Sequence, residues 1–319
     1  MSSKMDLPSE NFEYYQLADG VWAAISMPLG LAASNSGIID TGTETVVFDT
    51  TLSPISAIEL RDTAKKLTGR PVAYVLNSHM DQDHVFGNAV FPDQVMIYAT
   101  TRTRELMAER TANHMTEFKK QWSGFHKEWQ EGAKTTKDEA ERLDYEEGVQ
   151  FAQKVIDFFP QLEPRLPNQT FDDQFEIRGS KRTIQFLTFG GGHTDGDALL
   201  YLPEDRILFT GDLLVIKNHS GLQNGHPYAW LGILKKIREM DPVQLVPGHG
   251  ELGTVADVSS MENYINELLN MAEKNWREGG TAEDAAALQS PAFTEGWANA
   301  ESFPKNMKFL HNFVQQESK

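Results

Sequence analysis

The feature that most constrains this chain is the run His79-Met-Asp-Gln-Asp-His84, two imidazoles and two carboxylates within six residues, placed shortly after the apolar segment Val72–Leu76. That segment reads as a short strand buried on both faces. A polar loop at the C-terminal end of such a strand is where α/β proteins place their chemistry. The same setting recurs downstream. His193 stands in Gly190-Gly-Gly-His-Thr-Asp after an apolar run ending near Phe189, Asp212 in Thr210-Gly-Asp after Ile207–Phe209, and His249 in Pro247-Gly-His-Gly after Gln244–Val246. Glycine beside each leaves the backbone free to turn the side chain into a shared cleft. Imidazole with carboxylate is the ligand set of zinc, iron and manganese sites. A lone Gly-His or Thr-Gly-Asp is an ordinary turn; order and spacing together raise these residues to candidates.

The rest of the chain supports an α/β frame. Val21–Met27, Ser34–Ile39 and Thr45–Asp49 are short β-branched or apolar runs separated by Asp19-Gly20 and Asp40-Thr-Gly-Thr43, a strand-and-turn pattern. Ile55, Ile58, Leu60, Ala64 and Leu67 then follow a helical rhythm, with Ser53 as N-cap and Gly69 as stop. Between Thr101 and Phe159 glycine is scarce and charge dominates. Leu106, Met115, Phe118, Trp122, Phe125 and Trp129 recur at near-helical spacing. This predicts an insertion of two or three helices, broken near Gly124 and at Gly132-Ala-Lys-Thr-Thr136 and ended by Pro160. Its aromatic stripe has two readings, packing against the sheet and a lid over a pocket.

Strand patterning returns at Phe175–Ile177, Thr183–Thr188, Ala198–Leu202 and Ile207–Thr210. Helices are expected at Trp230–Met240, Met261–Trp276 and Asn306–Gln316. The expected organisation is one domain over 1–319, with a helical insertion at about 101–165 and C-terminal helices at about 257–319.

Composition excludes several classes. Lys and Arg total 29 against 46 Asp and Glu, a net charge of −17; such a surface repels phosphate backbones and anionic lipid. Nucleic-acid and membrane partners are therefore not expected, and a small-molecule substrate is. The chain has no cysteine, which removes disulfides, thiolate zinc sites and a Cys nucleophile. The first ten residues carry no apolar h-region, and no uncharged run is long enough to span a bilayer, so the expectation is a cytoplasmic protein. Oligomeric state is left open.

Taken together, the His and Asp array resembles the metallo-β-lactamase superfamily, whose hallmark is His-x-His-x-Asp-His followed by a distal His, a bridging Asp and a final His. The likeness runs from the strands at Val21 to Thr50 through Gly250, outside the 101–159 insertion and the C-terminal helices. It implies an α/β/β/α sandwich, two mixed sheets with helices outside. It also implies two divalent metal ions, zinc first. His79, Asp81 and His193 would hold one ion, Asp83, His84 and His249 the other, and Asp212 would bridge them. The departure is Asp81, where the pattern has its second His. One reading is a degenerate site with one metal or none. The other is a harder, more anionic site, because Asp81, Asp83 and Asp212 would neutralise two divalent ions and a hydroxide, shifting preference toward iron or manganese. The flavodiiron oxidoreductases of the superfamily are similar here, with a Glu at that place, but they append a flavodoxin domain for which the residues after Gly250 are too few and too helical.

The resemblance implies a metallohydrolase in which a metal-activated water attacks an ester, lactone, thioester or amide, with Asp83 as both ligand and base. No Gly-x-Ser-x-Gly elbow appears. Two other classes stay open: a non-haem di-iron oxidoreductase or oxygenase, and a metal-poor binding protein. Asn218, His219, His226 and Tyr228 lie between Asp212 and His249 and read either as groups near the site or as solvent-facing loop. His114, His126 and His311 are expected at the surface or in packing.

Overall fold

The computed structural model describes residues 2–317. Thirteen strands form two sheets among the described residues. The first holds β1 (Ser3–Lys4), β2 (Phe12–Ala18), β3 (Val21–Ser26), β4 (Ser36–Asp40), β5 (Thr45–Phe48), β6 (Val72–Leu76), β7 (Met96–Thr100) and β8 (Gln169–Phe171) in sequential order. Pairing is antiparallel up to β5 and parallel from there to β8. The second sheet runs β13 (Gln244–His249), β12 (Ile207–Val215), β11 (Leu199–Leu202), β10 (Thr183–Leu187), β9 (Gln174–Arg178), with only β12 and β13 parallel.

The sheets face each other. Val21, Ala23, Ile39, Val46 and Phe48 from one meet Ile184, Phe186, Leu200, Ile207 and Phe209 from the other. Alternate residues serve the outer layers, because side chains along a strand point to opposite faces. Trp22, Ile38, Val47 and Val75 pack beneath Leu60 and Ala64 of α1 (Pro54–Thr68). Leu199, Leu208 and Leu245 pack beneath α5 (Pro227–Glu239), α6 (Val255–Arg277) and α8 (Ser302–Glu317). The result is the expected α/β/β/α sandwich, and it explains why the inner strands are apolar on both faces.

In chain order α2 (Gln82–Val85), α3 (Thr101–Thr135) and α4 (Glu139–Asp157) come between α1 and α5, and α7 (Ala282–Ala286) precedes α8. Local signals hold where they are strong. Ser53 Oγ accepts from Ser56 N at 3.0 Å to start α1, and Gly69 ends it at φ 73°. Two expectations need correction. Gly124 does not break α3, which continues for 35 residues, about 50 Å at 1.5 Å per residue. The break comes only after Thr135. A mid-helix glycine costs about 1 kcal/mol relative to alanine, and the apolar contacts of Leu106, Met107, Met115 and Phe118 with Val155 and Phe158 outweigh it. Strands β12 and β13 also run further than Thr210 and Val246, so Asp212 and His249 sit within strands and not in loops after them. Parallel pairing of Gly211 with Pro247 and Val215 with His249, through register shifts, carries both strands on. Strands β1, β2, β7 and β8 and helix α7 have no counterpart in the sequence reading.

No helix among the described residues is long and apolar enough to cross a membrane.

Candidate metal centre

His79 follows β6, Asp81 is the N-cap of α2, and Asp83 and His84 lie in its single turn. His193 comes from the loop between β10 and β11, Asp212 from the middle of β12, and His249 from the last position of β13. All seven meet at one edge of the sandwich. A Cβ on Gly248 would stand 1.9 Å from Asp212 Oδ1, so only glycine lets β13 pass so close to that carboxylate.

The ligand atoms fall into interlocking groups: His79, Asp81 and His193; Asp83, His84 and His249; and His79, His84 and Asp212, each within 4.8 Å. Asp81 Oδ2 is 3.1 Å from His193 Nε2 and 3.6 Å from His79 Nε2. Asp83 Oδ2 is 3.2 Å from His249 Nε2 and 3.7 Å from His84 Nε2. Asp212 touches both sets: Oδ2 lies 3.6 Å from His193 Nε2 and 3.4 Å from His249 Nε2, and Oδ1 lies 3.2 Å from His84 Nε2. Ligands held at about 2.0–2.1 Å from one tetrahedral ion stand about 3.4 Å apart, and these spacings bracket that value. His79 Nε2, His84 Nε2 and Asp212 Oδ1 are buried with no hydrogen-bond partner. Buried polar atoms without partners are costly, and a cation at this point would satisfy all three. The donor set fits divalent metal ions.

A second layer aims the imidazoles. His84 Nδ1 donates to buried Asp49 Oδ2 at 2.8 Å. Ser78 Oγ donates to the same oxygen at 2.7 Å, which leaves Ser78 Oγ to accept from His79 Nδ1 at 2.8 Å. His193 Nδ1 donates to Gly221 O and His249 Nδ1 to Ala33 O, both at 3.1 Å. Every Nδ1 is thereby tied to an acceptor, and every Nε2 is directed at the cluster, the tautomer following from this network. Asp197 holds the His193 loop, its Oδ2 accepting from Gly192 N at 2.9 Å and His193 N at 2.8 Å.

Electrostatics point the same way. Burial alone depresses His193 and His249, but the hydrogen bond to Asp81 and the charge of Asp212 raise His193 to about 9. Asp212 and Asp83 raise His249 to about 10. The charges of Asp212, Asp83 and Asp49 lift His84 well above the ordinary imidazole range against its burial. Burial pushes Asp81 and Asp212 upward, yet the neighbouring imidazoles hold both well below the usual carboxylate range. A pocket built so strongly for positive charge takes protons where it has no cation.

The other histidines separate cleanly. His219 is buried and bonded through Nδ1 to the Tyr264 hydroxyl at 2.9 Å, Asn218 accepts from Asn299, and His226 caps α5 and packs on Phe313 beside Tyr228. None of these four reaches the cluster, and His219 and Asn218 are not solvent-facing loop either. His311 is buried against Asn275 and His126 sits near Gln130. His114 departs from its expected place: it lines the cleft over Asp81 and Asp83. Asp49, Ser78 and Asp197 went unnoticed in the sequence. No local sequence pattern marks Asp49, whose left-handed backbone (φ 56°) just past β5 emerges only in the fold.

Comparison with known proteins agrees with this geometry. The family model described as the metallo-beta-lactamase superfamily matches residues 29–274. Metallo-beta-lactamase type 2 of Bacteroides fragilis is 25% identical over 127 residues, 38% of this chain and 51% of that protein. A beta-lactamase-like protein 2 homolog of Caenorhabditis elegans is 27% identical over 107 residues, 34% of each. The matched regions thus span about half and a third of these relatives. Among solved structures, a metallo-beta-lactamase from Pontibacter korlensis superposes with a TM-score of 0.59 at 19% identity, covering 80% of this chain and 99% of that one. The DIM-1 metallo-beta-lactamase gives 0.56 at 18% identity, covering 81% and 98%. These structural likenesses show the shared fold.

Proposed function

From the premise that the chain belongs to the metallo-β-lactamase superfamily, we propose that it is a two-metal hydrolase of a small molecule, acting on an ester, lactone, thioester or amide. Superfamily membership supports a metal-dependent hydrolase-type function. The two-metal reading is carried by the convergence of seven His and Asp side chains with buried, unpartnered nitrogens at His79 and His84. His79, Asp81 and His193 would hold one ion, Asp83, His84 and His249 the other, with Asp212 between them. Bound there, divalent ions would bring the pKa of a water to about 7 and polarise a carbonyl oxygen.

The chain's own residues do the rest. Asp49, Ser78, Gly221 and Ala33 keep each Nε2 lone pair facing the centre. Asp83 faces the open cleft and would orient an entering water and accept its proton. Asp81 favours a second reading, because a carboxylate in place of an imidazole hardens the site toward iron or manganese; that reading is a di-iron oxidoreductase. A small-molecule substrate and a cytoplasmic setting belong to the same proposal.

Elemental analysis after mild purification tests both readings beside assays on an ester, a lactone, a thioester and an amide. Two equivalents of zinc, with turnover abolished by chelation and restored by zinc, is the expected result. Iron with visible absorbance and no turnover of the panel would transfer the assignment to redox chemistry. An empty site that takes up no metal would overturn both.

A further inference from the structure

The cluster opens into a cleft of about 470 Å³ whose far wall is one face of α3. His114, Phe118, Trp122 and Phe125 stand on that face at spacings of four, four and three residues, the repeat that brings side chains into line along a helix. Phe118 and Trp122 have ring centroids 6.1 Å apart, Trp122 and Phe125 are 5.7 Å apart edge to face, and Phe125 stacks on Trp129 at 5.4 Å. Ala33 and Leu52 add further apolar lining to the cleft. Phe118 is buried, but Trp122 and Phe125 remain half-buried, so the wall keeps apolar surface to give to a ligand.

Charge decides what that ligand is. Among the described residues no Lys or Arg lines the cleft; its polar members besides Asp81 and Asp83 are Gln82, His114, Gln121 and Asn224. Arg110 stands one turn before His114 on α3 and acts on it electrostatically, outside the lining. With two divalent ions and a hydroxide balanced by Asp81, Asp83 and Asp212, the centre would present no net positive charge to draw an anion. An anionic arm would meet aromatic faces and be desolvated with no Lys or Arg in the lining to pair with, whereas an aryl arm would stack on Trp122 and Phe125.

We propose that α3 forms the specificity subsite of the hydrolase and selects an uncharged ester or lactone bearing an aryl arm. The proposal rests on the hydrolytic reading of the centre and adds the substrate class. Between His114 and Phe125 the helix rises about 16 Å, room for a phenyl ring on several methylenes.

The metal-loaded full chain is assayed with ethyl 4-phenylbutyrate, ethyl 4-(4-carboxyphenyl)butyrate and ethyl butyrate. The neutral aryl ester should exceed each of the others at least tenfold in kcat/KM. Trp122→Ala and, independently, Phe125→Ala should lower that preference at least tenfold, with Trp122→Phe recovering most of it, while metal content stays at the wild-type value and turnover of ethyl butyrate changes little. Equal or better turnover of the carboxylated ester would overturn the proposal and direct attention to Arg110. So would an aryl preference unmoved by both alanine variants. Calorimetric titration with 4-phenyl-2-butanone, which has no scissile bond, separates the subsite from the chemistry. Saturable binding lost in Trp122→Ala would uphold the subsite even if no ester turned over, a result that would sink only the hydrolytic reading. No binding would sink the subsite.

Discussion

Asp49 Oδ2 accepts a hydrogen bond from His84 Nδ1 at 2.8 Å, both side chains fully buried, and this pair joins the end of β5 to the metal-ligand turn. The same carboxylate accepts from Ser78 N and Ser78 Oγ, each at 2.7 Å. One residue therefore orients two imidazoles. Asp49→Ala should lower metal affinity by about 10–100-fold, the usual effect of removing such a partner. Asp49→Asn should do less harm to folding than to affinity, because the amide keeps the shape and loses the charge. Competition against a chromogenic chelator measures it; wild-type affinity in both variants would show that His84 needs no such support.

Asp81 should behave as a ligand. Its carboxylate caps no backbone N–H of α2 despite its N-cap position, and reaches instead to His193 and His79. Asp81→Ala should reduce metal content toward one equivalent and lower the rate with it. Asp81→His should hold zinc at least as well and manganese or iron less well. Its pH–rate profile should move to lower pH, since a less neutralised pair acidifies water more strongly. Unchanged stoichiometry and rate in both would remove position 81 from the centre.

The metal-free protein should respond to pH in a defined direction. His193 and His249 titrate at about 9 and about 10 when folded, against about 6.5 for an unperturbed imidazole. A raised folded value contributes stability that is complete below about 6.5 and lost as pH rises through 9 to 10. The chelator-stripped protein should therefore lose melting temperature across that window, and zinc added at pH 7 should release protons into a weakly buffered indicator solution. A flat melting curve with no proton release would contradict the imidazolium cluster.

Gly124 lies within the continuous helix α3, and a Cβ there would meet nothing within 4 Å. Gly124→Ala should raise stability by about 0.5–1 kcal/mol. Denaturant unfolding checks it, and destabilisation would indicate that the helix bends at this point in solution.

How far the sequence could be read depended on the range of the interactions. The cap at Ser53, the stop at Gly69 and the His79–His84 turn are decided by neighbours within a few positions, and the structure shows the first two as the spacing predicts. Gly124 misled because its local preference was opposed by packing of α3 on α4, which involves residues far along the chain. Strand ends at Thr210 and Val246 misled because pairing between β12 and β13 carries both strands past the end of their apolar runs.

The amino-acid order alone was enough to single out the polar residues that follow apolar runs, because periodicity and spacing are properties of short segments; the two-sheet sandwich around them was implied only by the family resemblance of that array. Which nitrogen of each imidazole faces the cluster was decided only by the folded chain. His249 receives its orientation from Ala33, 216 positions away, and His193 from Gly221, 28 positions away. His114, Trp122 and Phe125 likewise joined the cleft only through the direction in which packing sends α3. Contacts between residues so distant in sequence leave no local pattern, since they arise when separate elements close on a common core.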